Sequence, residues 1–437
     1  MLIKKLESIT LDQIPKKNPS LKQYFAISTN EKNAKNAFDA DAIAGQLVAF
    51  QLNKQLQNSF SEEEFIQDIL KHFQHKMNEP EHVSIIKEIY FSKDKIPPLT
   101  PLMYMAKPLK KLDTKTKKSL EIFKQLIQHH SIDLQNFESN LNFIEQDIFS
   151  LFKQNIIEHT YTDHTNSYVD FLDDIFTNDF LYLLSNQHYF QAQIDRFLKL
   201  YFFIYSAQLA LNIHTNPLEK PSSQKLYFIL NHEKASSERK NLMNYGYKTL
   251  ISKVRYMFPY LSLLETLSDL LNDKTLKLYH FQELENTPEN IQIIDSFTQL
   301  YKEAKGMPTT TLLQSTSIEE AIQTLLNATV EQFKTDKKAV IDRFVLAFEK
   351  QISNPFFQSR GRSGKVLVLD QDTILLLTNL AIGDKKQLRF QELMDEFRKR
   401  SVYFDPKSED ALLELFERVG NVDRKSDSGD AVYVKTI

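Results

Sequence analysis

Glycine is scarce in this sequence, with 8 glycines among 437 residues. Rossmann and P-loop nucleotide sites need glycines, because their backbone approaches phosphate groups closely. Neither G-x-G-x-x-G nor G-x-x-x-x-G-K-[ST] occurs. The run from Gly361 to Lys365 precedes an apolar run instead of following one, and Val366 stands where a P-loop has serine or threonine. We therefore expect no nucleotide site of either class.

Cysteine is absent, which excludes disulfides, thiolate metal sites, iron–sulfur clusters and a cysteine nucleophile. The formal net charge is only −3, so any contact with nucleic acid or membrane must come from a local patch. No sustained apolar run follows the N-terminal lysines, which predicts no signal peptide. The most apolar stretch, 197–213, is short and contains Lys199, so it predicts a buried helix and not a membrane span. We expect a cytoplasmic protein with no membrane partner.

Short elements follow one another in the last part of the chain. Residues 366–369 form an apolar run of strand length, and 373–382 predicts a helix that Gly383 ends. A second helix buries a stripe at spacing i, i+3, i+4, i+7, and a third is capped by Asp405 and ended by Gly420. A hairpin follows, with turn residues at 426–429. One strand, three helices and a hairpin predict a winged helix-turn-helix.

Charge on the third helix disfavours the usual way in which this fold reads DNA. The recognition helix of a winged helix enters the major groove, where carboxylates repel phosphates. The exposed positions of the third helix are mostly acidic, and we assign them to partner binding: Glu409, Asp410, Glu414 and Glu417. Basic residues lie before the first strand and on the wing, and we assign them to nucleic-acid binding: Arg360, Arg362, Lys365, Arg424, Lys425 and Lys435. Contact with DNA and docking of a protein both remain open for this segment.

Helical periodicity dominates the rest of the chain, so the expected fold class is mainly α. We predict helices at 38–56, 242–258 and 260–272 among others, and one short strand at 226–230. The expected domains are an N-terminal helical region at 1–92, a basic proline-containing connector at 93–118, a central helical body at 119–355 and the C-terminal winged helix at 356–437. The connector's lysines are interpreted as a solvated loop, with a phosphate-facing patch as the alternative.

Two polar runs contain candidate acid, base or metal-binding groups. His159, Asp163 and His164 form the densest such group, but two histidines five residues apart do not share one helix face. His232 and Glu233 follow the predicted strand and could act as acid and base. We interpret both runs as structural and assign no catalytic residue, metal or cofactor. A metal-dependent nuclease that uses one of these groups is the alternative.

Four stretches of sequence resemble one known family. They are Lys365 to Gly383 (KVLVLDQDTILLLTNLAIG), Arg389 to Asp405, Glu417 to Val434 (ERVGNVDRKSDSGDAVYV) and Lys225 to Arg239 (KLYFILNHEKASSER), the last followed by Tyr245-Gly246-Tyr247. They are similar to DptG, also called DndG, a component of the bacterial DNA phosphorothioation-dependent restriction system. The resemblance extends over the whole chain and is strongest in its last eighty or so residues.

The resemblance implies a non-enzymatic subunit in defence against foreign DNA. DptF-like and DptH-like partners would supply ATPase and DNA-processing activity, and the complex would attack DNA that lacks the sulfur-for-oxygen backbone mark. This chain would scaffold those partners and could contact duplex DNA. A free-standing winged-helix transcription regulator is a further alternative, although the acidic third helix argues against base reading.

Overall fold

The structure is a computed structural model of the whole chain. It describes all residues except 1, 20, 22, 28–37, 78, 93, 108–111, 131–140, 162–164, 237, 310–312, 335–337, 426–430 and 437, and the side chains of 338, 425 and 431 also lie outside the description.

Helices dominate the described residues, as the sequence predicted. The α-helices are α1 (Leu2–Glu7), α2 (Ala40–Leu52), α3 (Glu62–Lys76), α4 (Pro80–Phe91), α5 (Thr114–Leu126), α6 (Phe143–Lys153), α7 (Asp173–Ser185), α8 (Gln187–Thr215), α9 (Lys240–Tyr245), α10 (Tyr247–Leu271), α11 (Pro288–Ala304), α12 (Ile318–Glu331), α13 (Lys338–Phe348), α14 (Gln371–Ile382), α15 (Phe390–Lys399) and α16 (Pro406–Val419). The strands are β1 (Lys54–Leu56), β2 (Ile156–Glu158), β3 (Leu226–Tyr227), β4 (Ile229–Leu230), β5 (Phe357–Ser359), β6 (Lys365–Leu369), β7 (Gln387–Arg389), β8 (Val402–Tyr403), β9 (Val422–Lys425) and β10 (Ala431–Lys435).

The chain divides into two compact units. The smaller unit contains Ala37–His164 and Phe176–Leu198. The larger unit contains Met1–Asn36, Thr165–Ile175 and Lys199–Ile437. The boundaries that we predicted from the sequence, at 92, 118 and 355, stay predictions.

The smaller unit is built from amphipathic helices and one short strand pair. Ser61 caps α3, since its side chain accepts a hydrogen bond from the Glu64 backbone N–H, and the helix buries a stripe that includes Phe65, Ile69 and Phe73. The helix predicted at 38–56 is shorter than expected. It ends at Leu52, because Asn53 takes a left-handed conformation, and β1 then pairs antiparallel with β2.

Gly45 allows α2 to approach a neighbouring segment of the smaller unit closely. A Cβ atom at this position would lie 2.2 Å from the carbonyl oxygen of Tyr104, which belongs to the buried 3-10 helix Pro101–Ala106. This helix lies inside the segment that we predicted as a loose connector. Its burial means that 101–106 is part of the core of the smaller unit.

A Gly45→Ala variant should therefore be less stable by about 1–3 kcal/mol, the usual cost of overpacking a core. Helix propensity alone predicts that the variant is more stable, because alanine is favoured over glycine in a helix by about 1 kcal/mol. Urea unfolding followed by circular dichroism measures the difference. A variant as stable as the wild type or more so would show that α2 and 101–106 lie farther apart.

In the larger unit, the predicted buried helix at 197–213 is confirmed as part of α8. Every residue from Phe197 to Ile213 is buried except Lys199, which is half-buried. The break predicted between 258 and 260 is wrong, because α10 continues through Pro259. Among the described residues, no helix has the combination of length and apolar character that crossing a membrane requires.

The C-terminal elements match most local predictions. Helix α14 ends at Gly383, whose φ is 57°, and α16 is capped by Asp405 and ended by Gly420 at φ 80°. The predicted hairpin is present as β9 and β10, while its turn at 426–429 lies outside the described residues. The fold is thus mainly α with small sheets.

Strand pairing differs from the prediction in one respect. The strand predicted at 366–369 is β6, which pairs parallel with β4 and antiparallel with β5. It is not part of the sheet that contains the hairpin. That sheet has the order β7-β10-β9, and its third strand, β7, was not predicted.

A buried carboxylic acid begins α7 in the larger unit. Asp173 is 2% exposed and accepts hydrogen bonds from the Ser167 hydroxyl at 2.5 Å and from the Ser167 backbone N–H at 3.1 Å. The Lys277 ammonium donates to the Ser167 carbonyl at 2.5 Å. Burial raises the pKa of Asp173 to about 8, although the bonds from Ser167 and the charge of Lys277 oppose the shift. Asp173 is therefore protonated in the folded protein at neutral pH.

Candidate nucleic-acid and partner interface

A buried ion cluster anchors the N-terminal end of α16. Arg239 precedes α9, and its guanidinium donates from Nε to Asp405 Oδ2 at 2.6 Å and from Nη2 to Asp405 Oδ1. The same carboxylate caps α16 by accepting from the Ser408 backbone N–H at 3.0 Å. Burial by itself would raise the pKa of Asp405, but the hydrogen bonds from Arg239 and Ser408 hold it below its usual value. Asp405 is therefore a charged cap held by a buried arginine.

Glu233 completes this cluster. Its carboxylate accepts from Arg239 Nη1 at 2.9 Å, from the Ser408 hydroxyl at 2.8 Å and from the Leu230 backbone N–H at 2.7 Å. The side chains of Arg239, Asp405 and Glu233 are 4%, 8% and 10% exposed, so water has little access. His232, the other member of the predicted acid–base pair, is exposed. The structural interpretation of this polar run is thus supported by its contacts.

The exposed side of α16 carries carboxylates, as its sequence predicted. Asp410, Glu414 and Glu417 are exposed, while Glu409 is half-buried and lies 3.2 Å from Arg398 Nη2. Glu417 forms an ion pair with Arg424. Within the described part of the chain, Asp410 and Glu414 form no ion pair. The exposed charged residues of α16 are three carboxylates, those of Asp410, Glu414 and Glu417, and two cations, Lys407 and Arg418, so carboxylates are in slight excess on the helix itself.

The sheet β7-β10-β9 presents a mixed basic and aromatic outer face. Tyr433 lies opposite Arg389 on one side and Asp423 on the other, and directly opposed residues share a face. Lys435 is on that face too, because alternate residues of a strand point the same way. The opposite face contains Val434 and Leu388, which are buried. The outer face of the sheet is therefore the exposed one.

Arg389 and Tyr433 form the centre of this outer face. Arg389 Nε donates to the Tyr433 hydroxyl at 3.3 Å, and the guanidinium carbon lies 5.9 Å from the ring centre. Lys435 Nζ lies 3.2 Å from an Asp423 carboxylate oxygen. Two cations and the Asp423 carboxylate thus surround an aromatic ring, and a second carboxylate, that of Glu392, accepts from the Arg389 backbone N–H at 2.9 Å.

The other predicted nucleic-acid-binding residues have varied surroundings. Arg424 pairs with Glu417, and Lys365 Nζ lies 2.9 Å from Glu349 Oε1. Arg360 donates to the Asn231 carbonyl, whereas Arg362 is exposed. The side chain of Lys425 lies outside the described residues. A carboxylate partner weakens a cation's attraction for phosphate, and this applies to Arg424, to Lys365 and, through Asp423, to Lys435. Lys435 differs from the other two because it lies on the same outer face as Arg389.

Arg389 was not predicted as a site residue, because β7 has only three residues. The only signal in the sequence is Leu388 between two polar residues, which is too short a pattern to predict a strand. Tyr433 was predicted to lie in the hairpin, but its neighbour across the sheet could not be known. Pairing between β7 and β10 brings together residues that are 44 positions apart.

Among the described residues, no group of three or more histidines, aspartates or glutamates could hold a metal ion. His159 packs against Tyr161, with ring centres 4.4 Å apart. Asp163 and His164, the other members of the predicted group, lie outside the described residues.

Comparison of the sequence with models of protein families and with curated proteins found no match. A function for this chain is therefore argued from the geometry of its surfaces.

Proposed function

We propose that this chain is a non-catalytic subunit of a DNA restriction complex. In this proposal, 356–437 acts as a winged helix-turn-helix that contacts the phosphates of duplex DNA through the outer face of the sheet β7-β10-β9, while the acidic surface of α16 docks a partner protein. The observation that carries the proposal is the outer face of this sheet, on which the exposed cations Arg389 and Lys435 flank the ring of Tyr433.

The order of elements supports the winged-helix interpretation. Helix α14 is followed by β7, then by α15 and α16, and then by the hairpin β9–β10, which pairs with β7 through β10. A helix, a strand, two helices and a hairpin that returns to the first strand are the parts of a winged helix. Strand β8 between α15 and α16 pairs with β3 and is an addition to this plan.

The distribution of charge supports phosphate contact by the wing and not by α16. A groove-reading helix needs donors and cations on its exposed side, whereas the exposed carboxylates of α16 (Asp410, Glu414, Glu417) outnumber its exposed cations (Lys407, Arg418). The wing's outer face has Arg389 and Lys435 on a sheet held rigid by backbone pairing. Phosphate contacts of this kind position a protein on DNA without reading its sequence.

The acidic surface of α16 supports the scaffolding part of the proposal. Its position is fixed by the buried cluster of Arg239, Glu233 and Asp405, so the carboxylates are presented on a rigid helix. The resemblance to DptG suggests DptF-like and DptH-like subunits as partners. A complementary partner surface would be basic.

The dependence of binding on salt tests the DNA-contacting part. We expect the full chain to bind a duplex without sequence preference. In the Arg389→Ala, Lys435→Ala double variant, the magnitude of the slope of log K against log salt should decrease by about 1.8, which is about 0.9 for each phosphate that the variant no longer neutralises. Fluorescence anisotropy with a labelled duplex at several salt concentrations measures the slope.

Arg418→Ala provides the matched control, because Arg418 is an exposed cation on α16. Its slope should equal that of the wild type. An unchanged slope in the double variant would remove the wing from the interface, and a lowered slope in Arg418→Ala would bring α16 to the DNA. Strong preference for one palindromic sequence would favour the transcription-regulator alternative.

A further inference from the structure

A cavity in the larger unit has two lysines and no acidic residue among its described lining residues. It has a volume of about 380 Å³ and lies where the end of α8, the segment before β3 and the junction of α9 and α10 meet. We call it the Lys225–Lys253 cavity. Besides the two lysines, its lining includes Tyr245 and the hydroxyl residues Thr215, Ser223 and Thr249. The lining is therefore cationic, with hydroxyl groups and one large aromatic ring.

Lys253 is positioned by a neutral partner. Its Nζ lies 3.0 Å from His214 Nδ1. Burial, followed by the charge of Lys253, lowers the pKa of His214 to about 4, so the imidazole is neutral at physiological pH and accepts a hydrogen bond from the ammonium. The His214 ring is itself packed against Tyr256, with ring centres 4.1 Å apart. The charge of Lys253 is thus held in place and is not cancelled.

Lys225 lies beside the aromatic ring of the cavity. Its Nζ lies 6.0 Å from the centre of the Tyr245 ring, which is a weak attraction. In the described part of the chain, no carboxylate lies within ion-pair distance of Lys225 or Lys253. Lys365 and Lys435 differ in this respect, since each lies close to a carboxylate. Two uncompensated cations on one cavity attract an anion.

Tyr245 is the exposed end of a row of three tyrosines. It is 44% exposed, and its ring centre lies 6.0 Å from that of Tyr227, with the planes tilted by 36°. Tyr227 in turn lies 5.6 Å from Tyr403, because β3 and β8 pair in parallel with these residues opposite each other. The two neighbouring rings support Tyr245 from one side. An exposed, supported ring beside cations is the arrangement on which nucleic-acid bases stack.

We propose that the Lys225–Lys253 cavity binds the phosphate of a nucleotide whose base stacks on Tyr245. Lysine ammonium groups and hydroxyl donors match the several oxygens of a phosphate, and the ring supplies a partner for a planar base. The nucleotide is either a free mononucleotide or the phosphorylated end of a single strand, since both present this chemistry. The site goes beyond the proposed duplex contact and uses none of its residues.

Fluorescence anisotropy tests the proposal, with 5′-phosphorylated oligothymidylate that carries a 3′ fluorophore as the probe. Thymidine monophosphate, thymidine and inorganic phosphate serve as competitors. We expect the Lys225→Ala, Lys253→Ala double variant to bind at least about tenfold more weakly, since each lost hydrogen bond to a charged group corresponds to about a tenfold change or more. Tyr245→Leu should weaken binding and Tyr245→Phe should preserve it, because only the former removes the ring. The same oligonucleotide with a 5′ hydroxyl should bind more weakly.

Lys274→Ala is the matched control, because Lys274 is an exposed lysine just beyond the other end of the 25-residue helix α10. Its affinity should equal that of the wild type. A Lys225→Gln, Lys253→Gln variant keeps the side-chain volume, and circular dichroism of both double variants checks that they fold. If thymidine monophosphate binds as tightly as the oligonucleotide, the ligand is a free nucleotide. If the monophosphate binds much more weakly, the ligand is a strand end.

Absence of binding by both the oligonucleotide and the monophosphate would overturn the proposal. An affinity within about twofold of the wild type in both folded double-lysine variants would also overturn it, because loss of one hydrogen bond between an ammonium and the phosphate should lower the affinity about tenfold. The Arg389→Ala, Lys435→Ala variant separates the two proposals. It should bind the single strand as the wild type does, so failure of the wing to bind duplex DNA and failure of this site are distinguishable.

Discussion

An Arg239→Met variant should lose about 3–5 kcal/mol of unfolding free energy, the usual cost of removing one partner from a buried ion cluster. Methionine fills much of the space of the arginine stem but leaves the carboxylates of Asp405 and Glu233 buried without a counter-charge. Both side chains are at most 10% exposed, so water cannot replace the guanidinium. Urea unfolding at neutral pH, followed by circular dichroism, measures the loss.

Arg255→Met is the matched control for this prediction. Arg255 Nη2 lies 2.8 Å from Asp342, but their side chains are 46% and 50% exposed. An exposed pair of this kind contributes at most about 1 kcal/mol. Equal losses in Arg239→Met and Arg255→Met would contradict the assigned role of the buried cluster. Adding Glu233→Gln to Arg239→Met should restore part of the stability, because it removes one of the stranded charges.

Loss of Arg239 should also change the surface that we propose for partner docking. Asp405 caps α16 and is itself held by Arg239, so the first turn of α16 depends on a residue from the segment before α9. Hydrogen exchange of the α16 amides should therefore rise in Arg239→Met more than exchange in α3 of the smaller unit. Equal increases in both helices would indicate global destabilisation alone.

The second large effect concerns pH. Asp173 has its pKa raised from the ordinary value of 3.8 to about 8 in the folded protein. Between these values the folded state holds one proton more than the unfolded state, so stability falls as pH rises, by about 1.4 kcal/mol per pH unit. The contribution is fully present below pH 4 or so and is lost once pH passes about 8.

Asp173→Asn isolates this contribution, since asparagine has no proton to lose and can keep both bonds to Ser167. Between pH 6 and pH 8 the wild type should lose about 2–3 kcal/mol more than the variant, which is two units at 1.4 kcal/mol each. Urea unfolding at several pH values measures both slopes. Asp174→Asn is the control, because Asp174 is the exposed neighbour on α7 and its replacement should leave the slope unchanged. Parallel slopes for wild type and Asp173→Asn would show that Asp173 does not titrate in this window.

The two proposed binding surfaces have different requirements. The wing's outer face needs only a rigid sheet and a local excess of positive charge, which suits contacts that do not depend on sequence. The Lys225–Lys253 cavity combines charge with a ring and a concave volume of about 380 Å³, which suits one nucleotide at a time. A subunit that holds duplex DNA at one place and a single nucleotide or strand end at another would be consistent with a role beside DNA-processing partners.

Local signals in the sequence were sufficient for most helices and for the hairpin. Asp405, Pro406 and Gly420 mark the two ends of α16 because capping depends on the residue and its immediate neighbours. The stripe of Phe65, Ile69 and Phe73, with helical spacing in the sequence, marks the buried side of α3 for the same reason. In contrast, the break predicted at Pro259 is wrong, because packing of α10 within the larger unit outweighs the hydrogen bond that proline removes.

Strand pairing lies beyond such local signals. The strand predicted at 366–369 is present as part of β6, but its pairing with β4, whose residues lie 139 positions earlier, depends on the tertiary fold. Strand β7 has only three residues and one apolar position, which is too little pattern to predict, and so β7 and the outer face built on it were missed. The row of Tyr245, Tyr227 and Tyr403 depends on the pairing of β3 with β8, and these two strands are also far apart in the sequence.

By itself, the sequence determined the mainly helical class, the ends of the C-terminal helices and the acidic character of α16, since composition, capping and periodicity act over a few residues. Only the tertiary structure decided which charges meet. It enclosed Arg239 with Glu233 and Asp405 and paired Lys365 with Glu349. It also placed Lys225 and Lys253 on one cavity whose described lining residues include no carboxylate. Whether a charged side chain stabilises the fold or remains available for a ligand depends on its neighbours in space, and the fold brings those neighbours from distant parts of the chain.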